Sequence, residues 1–174
     1  MRVLISLLAL CLASATLPAS ACSVARPLSK FVPDAKAFDQ AHDFYIALDV
    51  PAPLVKVRQF SRASSTVNGN CHSLTWVTLE VSLPPGSPFT LKEVGFLFRA
   101  PRGPEQDRFM AFPNFPIASS EFTPDGKAAL FAFALTDPLE GRDRPFLLDL
   151  EVQAINGGLQ ISEATPVRIG GAEG

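Results

Sequence analysis

The residues PFLLDLEVQAINGGLQISEATPVRIG, 145–170, set the architecture expected of this chain. Phe146, Leu148, Leu150, Val152 and Ala154 alternate with Leu147, Asp149, Glu151 and Gln153. Apolar and polar residues in period two mark a half-buried strand. Asn156-Gly157 follows. Asn-Gly between two alternating runs signals a hairpin, because a type I′ turn needs φ > 0 at both central residues. A two-residue turn there would pair Ile155 with Gly158, Ala154 with Leu159 and Val152 with Ile161, keeping the apolar sides together. A slip of one residue would mix the faces. Pro166 falls in the return strand, which only a sheet edge tolerates, since proline donates no ladder hydrogen bond.

Upstream, the chain repeats this pattern. Leu54 to Phe60 reads as a first strand and Ser73 to Leu83 as a second, with Val77, Leu79, Val81 and Leu83 on one face. Leu74 and Trp76 have the other parity, which predicts a bulge near Trp76 or burial on both sides. Leu91 to Ala100 reads as a third strand with Val94, Phe96 and Phe98 inward. Gly95, on its other face, leaves room for a second backbone to approach. Phe109 to Phe112 and Ser119 to Phe122 are short strand candidates, and a turn is expected at Thr123-Pro124-Asp125-Gly126. Lys127 to Leu135 places Phe131, Phe133 and Leu135 in phase. Ahead of the first strand, Asp34 is a candidate N-cap for a short helix over Ala35 to Ile46. Seven or eight short strands at this turn spacing predict an all-β sandwich.

Composition supports that class. Sixteen Pro and 11 Gly suit many short strands, and 14 Phe supply core volume. Met1 to Ala21 has the layout of a secretory signal peptide: Arg2, an apolar run from Val3 to Ala13, and the small-residue site Ala19-Ser20-Ala21. The expected organisation is a signal peptide over 1–21, a lead-in over 22–50, a sandwich over 51–170 and a tail over 171–174. Without Arg2, 14 basic residues face 17 acidic ones, so there is no basic footprint for nucleic acid. The apolar run is too short for a membrane span.

Two places resemble fibronectin type III and immunoglobulin-like modules. Val152 to Gly158, followed by Pro166 and Val167, is similar to the final hairpin of a fibronectin type III module. Leu74-Thr75-Trp76 is similar to its Trp-bearing second strand. The sole Tyr is Tyr45, so the tyrosine that family carries before its last hairpin is absent. The resemblance implies a sandwich architecture and no particular activity.

Cys11 would leave with the signal, and Cys22 and Cys71 would remain. An even pair in an exported chain is a candidate disulfide. Cys22 after Ala19-Ser20-Ala21 also resembles a bacterial lipobox, which would place a lipid anchor on Cys22. Ala19 stands where that motif usually has Leu. Cys22-Ser23-Val24 further resembles the mature start of bacterial proteins similar to tissue inhibitors of metalloproteinases, whose third residue is Cys.

No catalytic constellation is recognisable. His42 and His72 are the only histidines, too few for a metal site of recognisable spacing, and no G-x-S-x-G occurs. Asp137, Glu140 and Asp143 are interleaved with Arg142 and Arg144, as in a solvated loop. No catalytic, cofactor or metal residues are therefore assigned. Phe109, Phe112 and Phe115 form the one candidate contact patch, for a protein or glycan partner if exposed and as core edge otherwise. The expected role is a non-enzymatic binding or structural module of the bacterial envelope. The competing expectations are a secreted enzyme or inhibitor with a loop-built site, and a lipid-anchored outer-membrane protein.

Overall fold

The structure, a computed structural model, describes residues 28–62, 74–100, 112–136 and 145–171. Among these residues two short helices, α1 (Ala35–Gln40) and α2 (His42–Ala47), precede seven strands: β1 (Leu54–Arg62), β2 (Leu74–Ser82), β3 (Val94–Arg99), β4 (Ile117–Ala118), β5 (Ala129–Thr136), β6 (Phe146–Asn156) and β7 (Thr165–Gly171). They form two antiparallel sheets, ordered β1-β2-β5 and β4-β3-β6-β7. The expected all-β sandwich is what the chain adopts.

The sheets meet through the alternating residues. Phe146, Leu148, Leu150, Val152 and Ala154 of β6 are buried, as are Val77, Leu79 and Val81 of β2. Phenylalanines from facing sheets interlock: Phe98 of β3 lies 5.0 Å from Phe131 and 4.9 Å from Phe133 of β5, ring centre to ring centre. Such pairs add about 0.5–1.5 kcal/mol each beyond area burial.

The bulge expected near Trp76 is instead in β1. Val57 pairs with Leu79 and Gln59 with Thr78, leaving Arg58 as the extra residue. An extra residue reverses the alternation. Val55 and Phe60, of opposite parity in sequence, therefore both pack against the core. Strand β2 stays in regular register with β5, so Trp76 lies half-buried on the outer face, opposite Ala134. It is not buried on both sides.

The lead-in covers the other sheet. Lys30 bridges Ile117, and the Phe31 N–H donates to the Pro116 carbonyl at 2.8 Å. Phe31 lies against Gly95, where a Cβ would stand 2.4 Å from its Cγ. The space at Gly95 is thus taken by a side chain. Asp34 caps α1 as expected, accepting from the Lys36 and Ala37 N–H groups. The single helix expected over Ala35 to Ile46 breaks at Ala41, whose φ of −127° is not helical.

The last hairpin departs most from expectation. Val152 pairs with Thr165, Glu151 with Pro166, and Ile155 with Ile161. The predicted Val152–Ile161 register is not formed. The Leu159 N–H donates to the Asn156 carbonyl and the Asn156 N–H to the Gln160 carbonyl, closing a three-residue loop. Such loops place their last residue in the left-handed region. Here that residue is Leu159, at φ 63°, and neither Asn156 nor Gly157 has positive φ. Strand β7 is the sheet's outer strand, as Pro166 requires.

The cause is the Asn156 side chain, fully buried at the end of β6. Its Oδ1 accepts from the Gly158 and Gln160 N–H groups at 2.9 and 3.0 Å. Its Nδ2 donates to the Tyr45 carbonyl and to Gln160 Oε1, both at 2.9 Å. Gln160 Nε2 in turn donates to the Ile46 carbonyl at 2.9 Å. The closing carbonyls of a helix lack intrahelical partners, and two of those of α2, Tyr45 and Ile46, find them here. A two-residue turn would point this amide into solvent.

Asn156→Ala should lower unfolding free energy by about 2–4 kcal/mol, because it leaves buried carbonyl and N–H groups unpaired. Leu159→Asn should raise it by about 1 kcal/mol by relieving left-handed strain at an exposed position. Urea denaturation of both variants measures the contrast.

Candidate functional site

Two tight turns at one end of the sandwich enclose an open cleft of about 710 Å³, within the size range of small-molecule sites. One wall is the β2–β3 connection. Ser87 N–H closes a turn on the Pro84 carbonyl, with Gly86 at φ 81°. Pro-Gly at the centre of a turn suits this, because type II geometry needs φ > 0 at its third residue. The Ser87 hydroxyl then bonds the backbone of Phe89. Next, Thr90-Leu91-Lys92-Glu93 forms a single turn. Glu93 Oε2 accepts from the Thr90 N–H and hydroxyl, both at 2.8 Å, the reciprocal half of a capping box.

The opposite wall is Thr123-Pro124-Asp125-Gly126, a turn where the sequence predicts one. The Gly126 N–H donates to the Thr123 carbonyl at 2.8 Å, and Gly126 has φ 69°. The Thr123 hydroxyl donates to Asp125 Oδ1 at 2.6 Å and accepts from the Ala128 N–H at 3.1 Å. The Lys127 N–H donates to Asp125 Oδ1 at 3.2 Å. The Thr123 hydrogen bond, then the Lys127 N–H, hold the Asp125 carboxyl below its ordinary value, and the Lys127 charge adds to this.

Between these walls, Leu83, Leu91 and Phe122 are half-buried against the core and Phe89 is buried. Lys92 and Lys127 are exposed at the cleft. Among the described residues, no Asp, Glu, His or Cys lines it. A smaller recess of about 380 Å³, which shares Lys127 and the 123–127 turn with the cleft, carries the acids, Glu80 and Asp125. The cleft can thus hold an apolar body and an anion. Its hydroxyls at Ser87 and Thr90 are engaged with Phe89 and Glu93.

The residues singled out in the sequence lie elsewhere. Phe112 is half-buried, 4.7 Å from the Phe133 ring and 6.5 Å from that of Phe98, and Phe115 is half-buried nearby in sequence. Phe109, Cys22, Cys71, His72 and the Asp137–Asp143 acids lie outside the described residues. His42 is exposed beside Asp43, its Nδ1 3.3 Å from the carboxylate. Among the described residues no three His, Cys, Asp or Glu side chains gather, and no helix is long and apolar enough to cross a membrane.

Lys92 and Lys127 escaped the sequence reading. They sit 35 positions apart on different connections, and no periodicity links two turns. The Thr90-x-x-Glu93 capping pattern was the one local signal available. No protein-family model, curated protein or solved structure matches the chain.

The Asp125 hydrogen bonds give a pH signature. A carboxyl held low in the folded state contributes stability that is present above its ordinary value of 3.8 and lost as pH falls through the lower folded value. Following the Lys127 amide by NMR should show an inflection below 3.8. Thr123→Val should move that inflection upward, toward the ordinary value.

Proposed function

We propose that this chain is an exported β-sandwich protein of the bacterial cell envelope with a non-enzymatic binding role, exercised at the cleft between the two turns. The observation that carries the reading is the lining of that cleft. Its described residues combine an apolar floor with two lysines and include no carboxylate, histidine or thiol to act as base or nucleophile. The walls are hydrogen-bonded turns, so little ordering is needed when a ligand enters.

The finer architecture proposed is a fibronectin type III-like module. The strand order supports it: β1, β2 and β5 share one sheet, while β3, β4, β6 and β7 share the other. The chain thus changes sheet between β2 and β3, β4 and β5, and β5 and β6, as Greek-key sandwiches do. Export is proposed from the layout of residues 1–21, with Cys22 either bonded to Cys71 or carrying a lipid.

Two measurements test this reading. Cell fractionation with intact-mass analysis should recover a chain beginning at Cys22 outside the cytoplasm. An oxidised mass supports the disulfide, an added diacylglycerol supports the anchor, and an uncleaved cytoplasmic chain sinks export. For the binding role, a ligand raises stability according to its concentration relative to Kd. A small-molecule extract of the envelope should therefore raise the Tm of the purified protein, and raise it less in Lys92→Glu/Lys127→Glu. No shift in either protein would count against a binding role.

A further inference from the structure

The lining of the cleft also specifies the chemistry of its occupant, an inference that rests on the binding role proposed above. We propose that the cleft takes a free, single-chain amphiphile with an anionic head, such as a medium-chain carboxylate.

Charge complementarity carries the argument. Among the described residues lining the cleft, Lys92 and Lys127 are the only charged ones, and they come from opposite walls. The nearby carboxylates Glu93 and Asp125 are outside the described lining and are turned into their own turns. Glu93 accepts from the Thr90 N–H and hydroxyl, Asp125 from the Thr123 hydroxyl and the Lys127 N–H, bonds that orient a carboxylate without cancelling its charge. Neither lysine forms an ion pair with a described residue, although the Lys127 charge acts on Asp125. Two cations on one cleft, with no carboxylate among its described lining residues, favour an anion there and repel a cationic ligand. The recess that shares the Thr123–Lys127 turn is lined instead by Asp125 and by Glu80, which pairs with Arg58 at 3.1 Å, beside the same Lys127. The carboxylates of Glu80 and Asp125 thus line the smaller recess, and an anionic head would be directed to the larger cleft.

The floor supplies the second half of the ligand. Leu83, Leu91 and Phe122 present half-buried apolar surface, with Phe89 buried among them. An alkyl chain laid on these side chains removes apolar surface from water on both partners. A volume of about 710 Å³ accommodates a molecule of that size and not a bilayer leaflet. The rigid turns would hold the head between the lysines without reorganisation.

Calorimetric titration of the purified protein tests this with octanoate, decanoate and dodecanoate as probes, each below its micelle concentration. One saturable site is expected, with affinity rising about three- to fourfold per added methylene until the floor is covered. Binding should weaken with added salt, since the lysines are exposed. Lys92→Ala/Lys127→Ala should weaken dodecanoate binding about tenfold or more, with unchanged Tm, while Lys36→Ala leaves it unaltered. If the alanine pair unfolds, Lys92→Gln and Lys127→Gln singly give the same reading. Equal affinity for dodecyltrimethylammonium, indifference to the lysine variants, or binding only to phosphatidylglycerol vesicles would each overturn the proposal. Absence of any dodecanoate binding would overturn it as well. In that case a Tm shift by envelope extract, diminished in Lys92→Glu/Lys127→Glu, would leave the binding role standing with a different ligand.

Discussion

A buried primary amide that cannot reach water must satisfy two donors and two acceptor sites within the protein. Asn156 does so at the end of β6, spending one donor on the Tyr45 carbonyl and its oxygen on the loop that follows. Three parts of the chain are tied by this one side chain: the sheet, the loop leading toward β7 and the helical lead-in. Tyr45, held in place by its carbonyl, stacks on Phe89 with ring centres 6.2 Å apart. Phe89 in turn belongs to the cleft wall. The cleft wall is thus linked, through Tyr45, to the amide at the end of β6.

The same constraint explains the hairpin. Ser162 accepts the place that a shorter turn would have given to another residue: its hydroxyl receives the Ala154 N–H, and its own N–H reaches the Ala154 carbonyl. The strain left over falls on Leu159, which is exposed and free to adopt it. At the far end of the pair, Gly170 has φ 88° and no room for a Cβ against the Phe146 carbonyl. Glycine is required there both by conformation and by space.

In the cleft, each turn-forming residue type has a local reason. Gly86 and Gly126 supply positive φ, and Thr90 with Glu93 caps a single helical turn. These signals were readable in Pro-Pro-Gly, in Thr-Pro-Asp-Gly and in the Thr-x-x-Glu spacing. The meeting of the two turns was not. They belong to connections separated by β3 and β4, and only the stacking of the sheets brings Lys92 and Lys127 to one opening.

The residues by themselves determined the class of fold, because alternation of apolar side chains is a local property of an extended chain. It identified the inward faces of β2, β3, β5 and β6, the Asp34 cap and the edge position of Pro166. Tertiary structure decided what depended on non-local partners. It moved the bulge to Arg58, since Phe60 had to reach the core. It filled Gly95 with Phe31. It replaced the turn that Asn156-Gly157 favours in isolation with a longer loop. Local turn preference rests on backbone conformation alone, whereas each group of a buried amide left unsatisfied costs about 1–3 kcal/mol, and Asn156 has four hydrogen bonds to make.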